Sequence, residues 1–106
     1  MAQEFVNSKI HPGKVVVFIK PTCPYCKKTQ NILNHLPFKP GLLEFVDITA
    51  TPDTSAIQDY LQQLTGARTV PRVFLGNDCI GGCSDLESLQ QNGELQKRLA
   101  DLGVLQ

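Results

Sequence analysis

Tryptophan is missing from these 106 residues, methionine occurs once and histidine twice. Neither His11 nor His35 stands where it could act as a base, and both are expected at the surface. No apolar run approaches the ~18 residues of a helical membrane span. Neither sign of charge dominates, since ten Lys and Arg face ten Asp and Glu. Nothing therefore singles out nucleic acid or a membrane as a partner. Repeats, low-complexity tracts and linkers are lacking, so residues 1–106 read as one domain. Met1-Ala2-Gln3-Glu4 lacks the basic and apolar regions of a secretory signal, and a cytoplasmic protein is expected. Apolar residues at 42% against 19% charged exclude a disordered chain and leave a globular one.

What is present reads as alternating strands and helices. A short helix is expected over Gln3 to Lys9, ended by His11-Pro12-Gly13. Val15-Val16-Val17-Phe18-Ile19 is an unbroken β-branched and apolar run, the pattern of a strand buried on both faces. Pro24 suits the first position of a helix with Cys23 as its N-cap; that helix runs through Ile32, Leu33 and Leu36 and stops before Pro37. Leu42 to Ile48 predicts a second strand, with Leu43, Phe45 and Val46 turned to the core. Thr51-Pro52 opens a helix in which Ile57, Leu61 and Leu64 share a face, closed by Gly66. Arg72–Leu75 and Cys79-Ile80 flank Gly76-Asn77-Asp78 as a hairpin. Ser84-Asp85-Leu86-Glu87 has the capping-box pattern and predicts a helix start. Leu95, Leu99 and Leu102 mark a last helix ending at Gly103. A β-α-β opening implies parallel pairing through a right-handed crossover, and the hairpin adds antiparallel strands. The expected α/β fold is a four-stranded mixed sheet with helices on both faces, a thioredoxin-like architecture.

The four cysteines fall into two local pairs, Cys23/Cys26 and Cys79/Cys83. In a reducing compartment such pairs point to redox or metal chemistry before structural bridges. Zinc held by all four thiolates is the metal alternative, but 52 residues lie between Cys26 and Cys79. Common zinc ribbons use roughly 15–20, and zinc has no need of Pro24. A thiolate is the species that attacks a disulfide. At a helix N-terminus the Cys23 sulfur meets the positive end of the macrodipole and unpaired N–H groups. Lys20, Lys27 and Lys28 are expected to add positive charge around it. Cys26 lies one turn on, at a separation suited to a disulfide, as the more buried, resolving thiol.

Cys23-Pro24-Tyr25-Cys26 after a buried strand, then Thr69-Val70-Pro71, then Gly81-Gly82-Cys83-Ser84-Asp85, resembles the glutaredoxin family over essentially the whole chain. The likeness is strongest to its cytosolic dithiol branch, the thioltransferases. The resemblance implies a glutathione-dependent thiol–disulfide oxidoreductase that reduces protein–glutathione mixed disulfides, small disulfides and protein disulfides. Cys23 would be the nucleophile and Cys26 the resolving thiol. It implies a cis Pro71 beside Cys23, with Thr69 and Val70 offering backbone to glutathione as to an added strand. Gly82, Cys83, Ser84 and Asp85 would form the opposite wall, amides meeting a carboxylate and Asp85 an ammonium. Lys20 and Gln58 match positions that hold the glycine carboxylate, Arg68 is a weaker candidate, and Tyr25 would cover the bound thiol.

Cys79 and Cys83 are expected as a secondary, oxidation-sensitive pair. Glutathione is implied as co-substrate, with no tightly bound cofactor, no metal and a monomeric state; NADPH would enter through a separate glutathione reductase. Ser8 stands where dithiol members often carry a further cysteine, so any dimerisation through that thiol is excluded. Two other classes compete. A thioredoxin-type reductant typically carries Trp-Cys-Gly-Pro-Cys, which a chain without tryptophan lacks. An iron–sulfur cluster-binding module usually has a single active-site cysteine, or Ser or Gly where Pro24 stands.

Overall fold

The computed structural model describes all residues, 1–106. Its elements are α1 (Ala2–Lys9), β1 (Val15–Ile19), α2 (Pro24–Asn34), β2 (Leu43–Asp47), α3 (Thr54–Thr65), β3 (Arg72–Leu75), β4 (Asp78–Gly81), α4 (Cys83–Gln91) and α5 (Glu94–Leu102), with a 3-10 turn at Ile48–Ala50. The four strands form one sheet in the order β2-β1-β3-β4. β1 runs parallel to β2 and antiparallel to β3, which is antiparallel to β4.

β1 organises the interior because all five of its residues are buried. Strand alternation sends Val15, Val17 and Ile19 to one face, where they meet Cys26 and Leu33 of α2, Leu86 of α4, and Leu95 and Leu99 of α5. Val16 and Phe18 go to the other face, against Val6 of α1, Ile57 and Leu61 of α3, and Phe74. There the Phe18 and Phe74 rings meet edge to face, centroids 5.7 Å apart. Truncating Phe18 to alanine at such a site costs about 3–5 kcal/mol.

Several boundaries depart from the sequence expectation, each for a local reason. β2 stops at Asp47, whose carboxylate accepts the Thr49 N–H at 2.8 Å and turns the chain. Of its apolar residues only Val46 is buried, while Leu43 and Phe45 are half-buried at the edge of the sheet. α2 ends at Asn34, although Leu36 beyond it still packs on the core. Leu64 does not join Ile57 and Leu61 inside; it is 46% exposed. The hairpin turn is tighter than expected because Gly76 adopts φ +63°, and a Cβ there would lie 2.8 Å from the Pro12 carbonyl oxygen. α4 begins at Cys83 with Gly82 as N-cap, two residues before the predicted Ser84 cap. The acid that closes this start is Asp85, which accepts the Gly82 N–H at 2.9 Å.

Candidate active site

β1 ends at Ile19 and the chain turns directly into α2, so Cys23 arrives at the rim of the sheet as the N-cap. Its φ and ψ of −85° and 119° are extended, as an N-cap requires, and Pro24 follows at the start of the helix. No acidic residue occupies the first turn of α2, so its positive end is uncompensated. Cys23 is half-buried, whereas Cys26, one turn on, is wholly buried.

The two thiols are driven apart chemically. Burial works against the Cys23 anion, but the Cys26 amide and thiol, the Tyr25 amide and the Lys20 ammonium outweigh it and hold Cys23 below the ordinary thiol value. Burial pushes Cys26 up to about 12, and the Lys20 backbone amide offsets only part of that. At neutral pH the pair therefore presents a reactive outer sulfur and a protonated inner one. Of the three lysines expected around the site, Lys20 is the one whose charge favours Cys23. Lys28 instead binds Glu87 of α4 at 2.7 Å, a partner 59 positions away in sequence, and Lys27 is exposed.

Cys23 Sγ lies 3.8 Å from the Val70 carbonyl oxygen, which joins α2 to the loop before β3. The Val70–Pro71 peptide is cis. Beside it opens a groove of about 440 Å3 lined by Tyr25, Thr69, Val70, Pro71, Arg72, Gly82, Cys83, Ser84 and Asp85. Its size is right for a small ligand. Eight of those nine residues carry a role in the sequence reading, and Arg72 is the one it missed. A cation directly after Pro71 was the available signal. Tyr25 stands 65% exposed over the rim.

Lys20 and Gln58 lie outside the lining. Gln58 Nε2 donates to the Arg68 carbonyl at 3.0 Å, and the Arg68 guanidinium binds Asp59 at 3.2 Å. Cys79 and Cys83, the expected second pair, are both free thiols. Cys79 packs beside the Val6–Phe74 cluster and lines a separate depression with Leu64 and Thr65. Cys83 is buried at the head of α4, its Sγ 3.8 Å from Glu87 Oε1. The irregular register of β4 and the Gly81-Gly82 turn separate their surroundings. No three or more His, Cys, Asp or Glu side chains are gathered at one point of the molecule. His11 and His35 are both exposed and border no part of the groove.

A thioredoxin-like sheet with an activated cysteine at the head of α2, a buried cysteine one turn behind and a groove beside a cis proline defines a thiol–disulfide oxidoreductase. The glutaredoxin family profile matches residues 15–80. Glutaredoxin-1 of Rattus norvegicus is 80% identical over all of this chain and 99% of its own length, and that of Homo sapiens is 77% identical over the full length of both. Among solved structures, a buckwheat glutaredoxin–glutathione complex superposes with a TM-score of 0.90 at 31% identity, covering 100% of this chain and 94% of that one. Oxidized glutaredoxin 2 from Chlamydomonas reinhardtii gives a TM-score of 0.87 at 38% identity, covering 98% and 95%. The chain belongs to the glutaredoxin family, the glutathione-dependent thiol–disulfide oxidoreductases.

Proposed function

We propose that Cys23 is the nucleophile and Cys26 the resolving thiol of a cycle in which glutathione occupies the groove between Val70 and Ser84. The observation that carries this is the opposite treatment of two thiols three residues apart: one activated and set against the Val70 carbonyl beside the groove, the other buried and protonated. The Cys23 thiolate attacks the glutathione sulfur of a mixed disulfide, and the substrate leaves as a thiolate that takes up a proton. A second glutathione thiolate attacks the Cys23–glutathione disulfide, restoring Cys23 and releasing oxidised glutathione. Alternatively Cys26 gives up its proton and attacks Cys23, expelling glutathione and closing an intramolecular disulfide that two glutathiones reopen. The second route serves protein disulfides.

Thr69 and Val70 supply one wall, and the Val70 amide donates to no group of the protein, which leaves it for a ligand carbonyl. Gly82, Cys83, Ser84 and Asp85 supply the other, with α4's N-terminal amides toward a carboxylate. Tyr25 covers the bound sulfur. Lys20, and Gln58 with its second amide hydrogen, meet the glycine carboxylate. That the buckwheat glutaredoxin of the same fold forms a glutathione complex supports glutathione as the ligand. On the same reading the chain is a single domain over 1–106, monomeric and cytoplasmic, re-reduced by glutathione at the expense of NADPH through glutathione reductase. No tightly bound cofactor takes part. No helix is long and apolar enough to cross a membrane.

The test is turnover of a glutathionylated peptide with glutathione, glutathione reductase and NADPH. Cys23→Ser should be inactive and Cys26→Ser should still turn over, while losing reduction of protein disulfides. An active Cys23→Ser would overturn the nucleophile assignment.

A further inference from the structure

Arg72 is a cation that the proposed cycle leaves without work. It opens β3 directly after Pro71 and lines the same groove as Ser84 and Asp85. Its Nε donates to the Pro71 carbonyl at 3.3 Å. One terminal nitrogen stands 3.1 Å from where a side chain on Gly82 would begin, so the guanidinium lies folded against the cap of α4. The ion pairs of the molecule involve Lys9, Lys14, Lys28, Arg68 and Arg98, but not Arg72. Its guanidinium has a single hydrogen bond from its five N–H groups.

Opposite charge stands on the other side of Gly82. Asp85 accepts the Gly82 N–H through Oδ2 and takes part in no ion pair, with Arg72 or any other cation. One end of the groove therefore offers an unpaired cation and an unpaired anion, held apart by a glycine. That is the complement of a free α-amino acid head, with an ammonium and a carboxylate on one carbon. A methyl group at Gly82 would press on Arg72 and on the Pro71 carbonyl oxygen, 3.3 Å away, and disturb both walls.

We propose that Arg72 is a specificity-determining residue that joins α4's N-terminal amides on the α-carboxylate of the γ-glutamyl end of glutathione, across Gly82 from Asp85. This rests on the reading of the groove as the glutathione site. The planar fork of arginine suits a carboxylate, and its tether to Pro71 holds it in place before the ligand arrives.

The experiment compares one peptide as two mixed disulfides, with glutathione and with glutathione amidated at the γ-glutamyl α-carboxylate. The kcat/KM ratio between them is measured for the parent, R72Q and R72K. The parent should favour the carboxylate form by about tenfold, less at high salt. In R72Q the ratio should fall toward one, and R72K, which keeps the charge but not the fork, should be intermediate. A ratio in R72Q equal to the parent's, or both substrates slowed equally, would show that Arg72 only braces the walls, and the proposal fails. If R72Q does not fold, an unchanged ratio in R72K overturns it as well. A parent that turns over neither substrate removes the glutathione reading itself, and the proposal with it.

Discussion

Two helix N-termini face the same groove and are finished in opposite ways. α2 starts on Cys23, has proline at its first position and carries no acid in its first turn. α4 starts on Gly82 and carries Asp85 in its first turn, bound back to the cap amide. Both offer unpaired backbone amides and the positive end of a dipole. On α2 that potential is spent on a sulfur of the protein itself, and Cys23 is held below the ordinary thiol value. On α4 a carboxylate already answers it, so the end becomes a bipolar surface for a ligand's charges. The same backbone device thus activates a nucleophile at one end of the groove and recognises a substrate at the other. The side chain of the first turn decides which.

The strongest way to break that comparison is to give α2 the acid that α4 has. Tyr25 is exposed and in the first turn, so Tyr25→Glu should leave the fold intact. A carboxylate there disfavours the Cys23 anion and raises its pKa. Below the parent's Cys23 pKa a smaller fraction is thiolate, and alkylation by iodoacetamide there should slow about tenfold, in proportion to the thiolate lost. Above both pKa values the parent and variant rates should converge. An equal slowing at every pH would mean that Tyr25 acts by covering the sulfur and not through the helix end. Asp85→Asn is the mirror change: it retains an acceptor for the Gly82 amide and should raise KM for glutathione while leaving Cys23 alkylation alone.

A gentler change separates the helix end from the side chains around it. Lys20 contributes charge to Cys23 after the backbone and Cys26 contributions. Lys20→Gln should therefore move the inflection of the alkylation–pH profile upward by less than Tyr25→Glu does, with rates below that inflection falling about two- to threefold. Lys28→Gln should not move it, because that ammonium is committed to Glu87. Throughout, Cys26 should resist alkylation until pH approaches 12, which peptide mapping of the modified protein reads directly.

The parts of this arrangement that were legible in the sequence are the local ones. β1 shows itself because five apolar residues in a row have no other use, and Pro24 after Cys23 states both a helix start and its orientation. Thr69-Val70-Pro71 and Gly82–Asp85 were readable through the family resemblance, since nothing in either segment alone says that they share a groove. What escaped depends on contacts remote in sequence. Lys28 reads as charge around Cys23 until α4 packs beside α2 and brings Glu87 to it. Ser84 reads as the cap until Asp85 takes the Gly82 amide and moves the helix start back. Cys79 is not seen to pack on the α1–α3 face until the sheet pairs it with Phe74. Arg72 reads as the start of a strand until its side chain folds onto the Gly82 cap.

The smallest effect concerns the buried side of α2, where the comparison passes from chemistry to packing. Thr29 is wholly buried one turn below Cys26, and its hydroxyl has no hydrogen-bond partner. An unpaired buried hydroxyl costs roughly 1–3 kcal/mol of desolvation, whereas an apolar group of the same shape costs nothing of that kind. Thr29→Val keeps the β-branched outline and should raise stability by about 1 kcal/mol in urea unfolding, with the denaturant slope unchanged. Because the residue lies beneath the resolving thiol and away from the groove, the alkylation–pH profile of Cys23 should stay where it is. Loss of stability in Thr29→Val would mean that the hydroxyl is satisfied in solution. A displaced Cys23 profile would mean that the interior of α2, and not its first turn alone, takes part in activating the nucleophile.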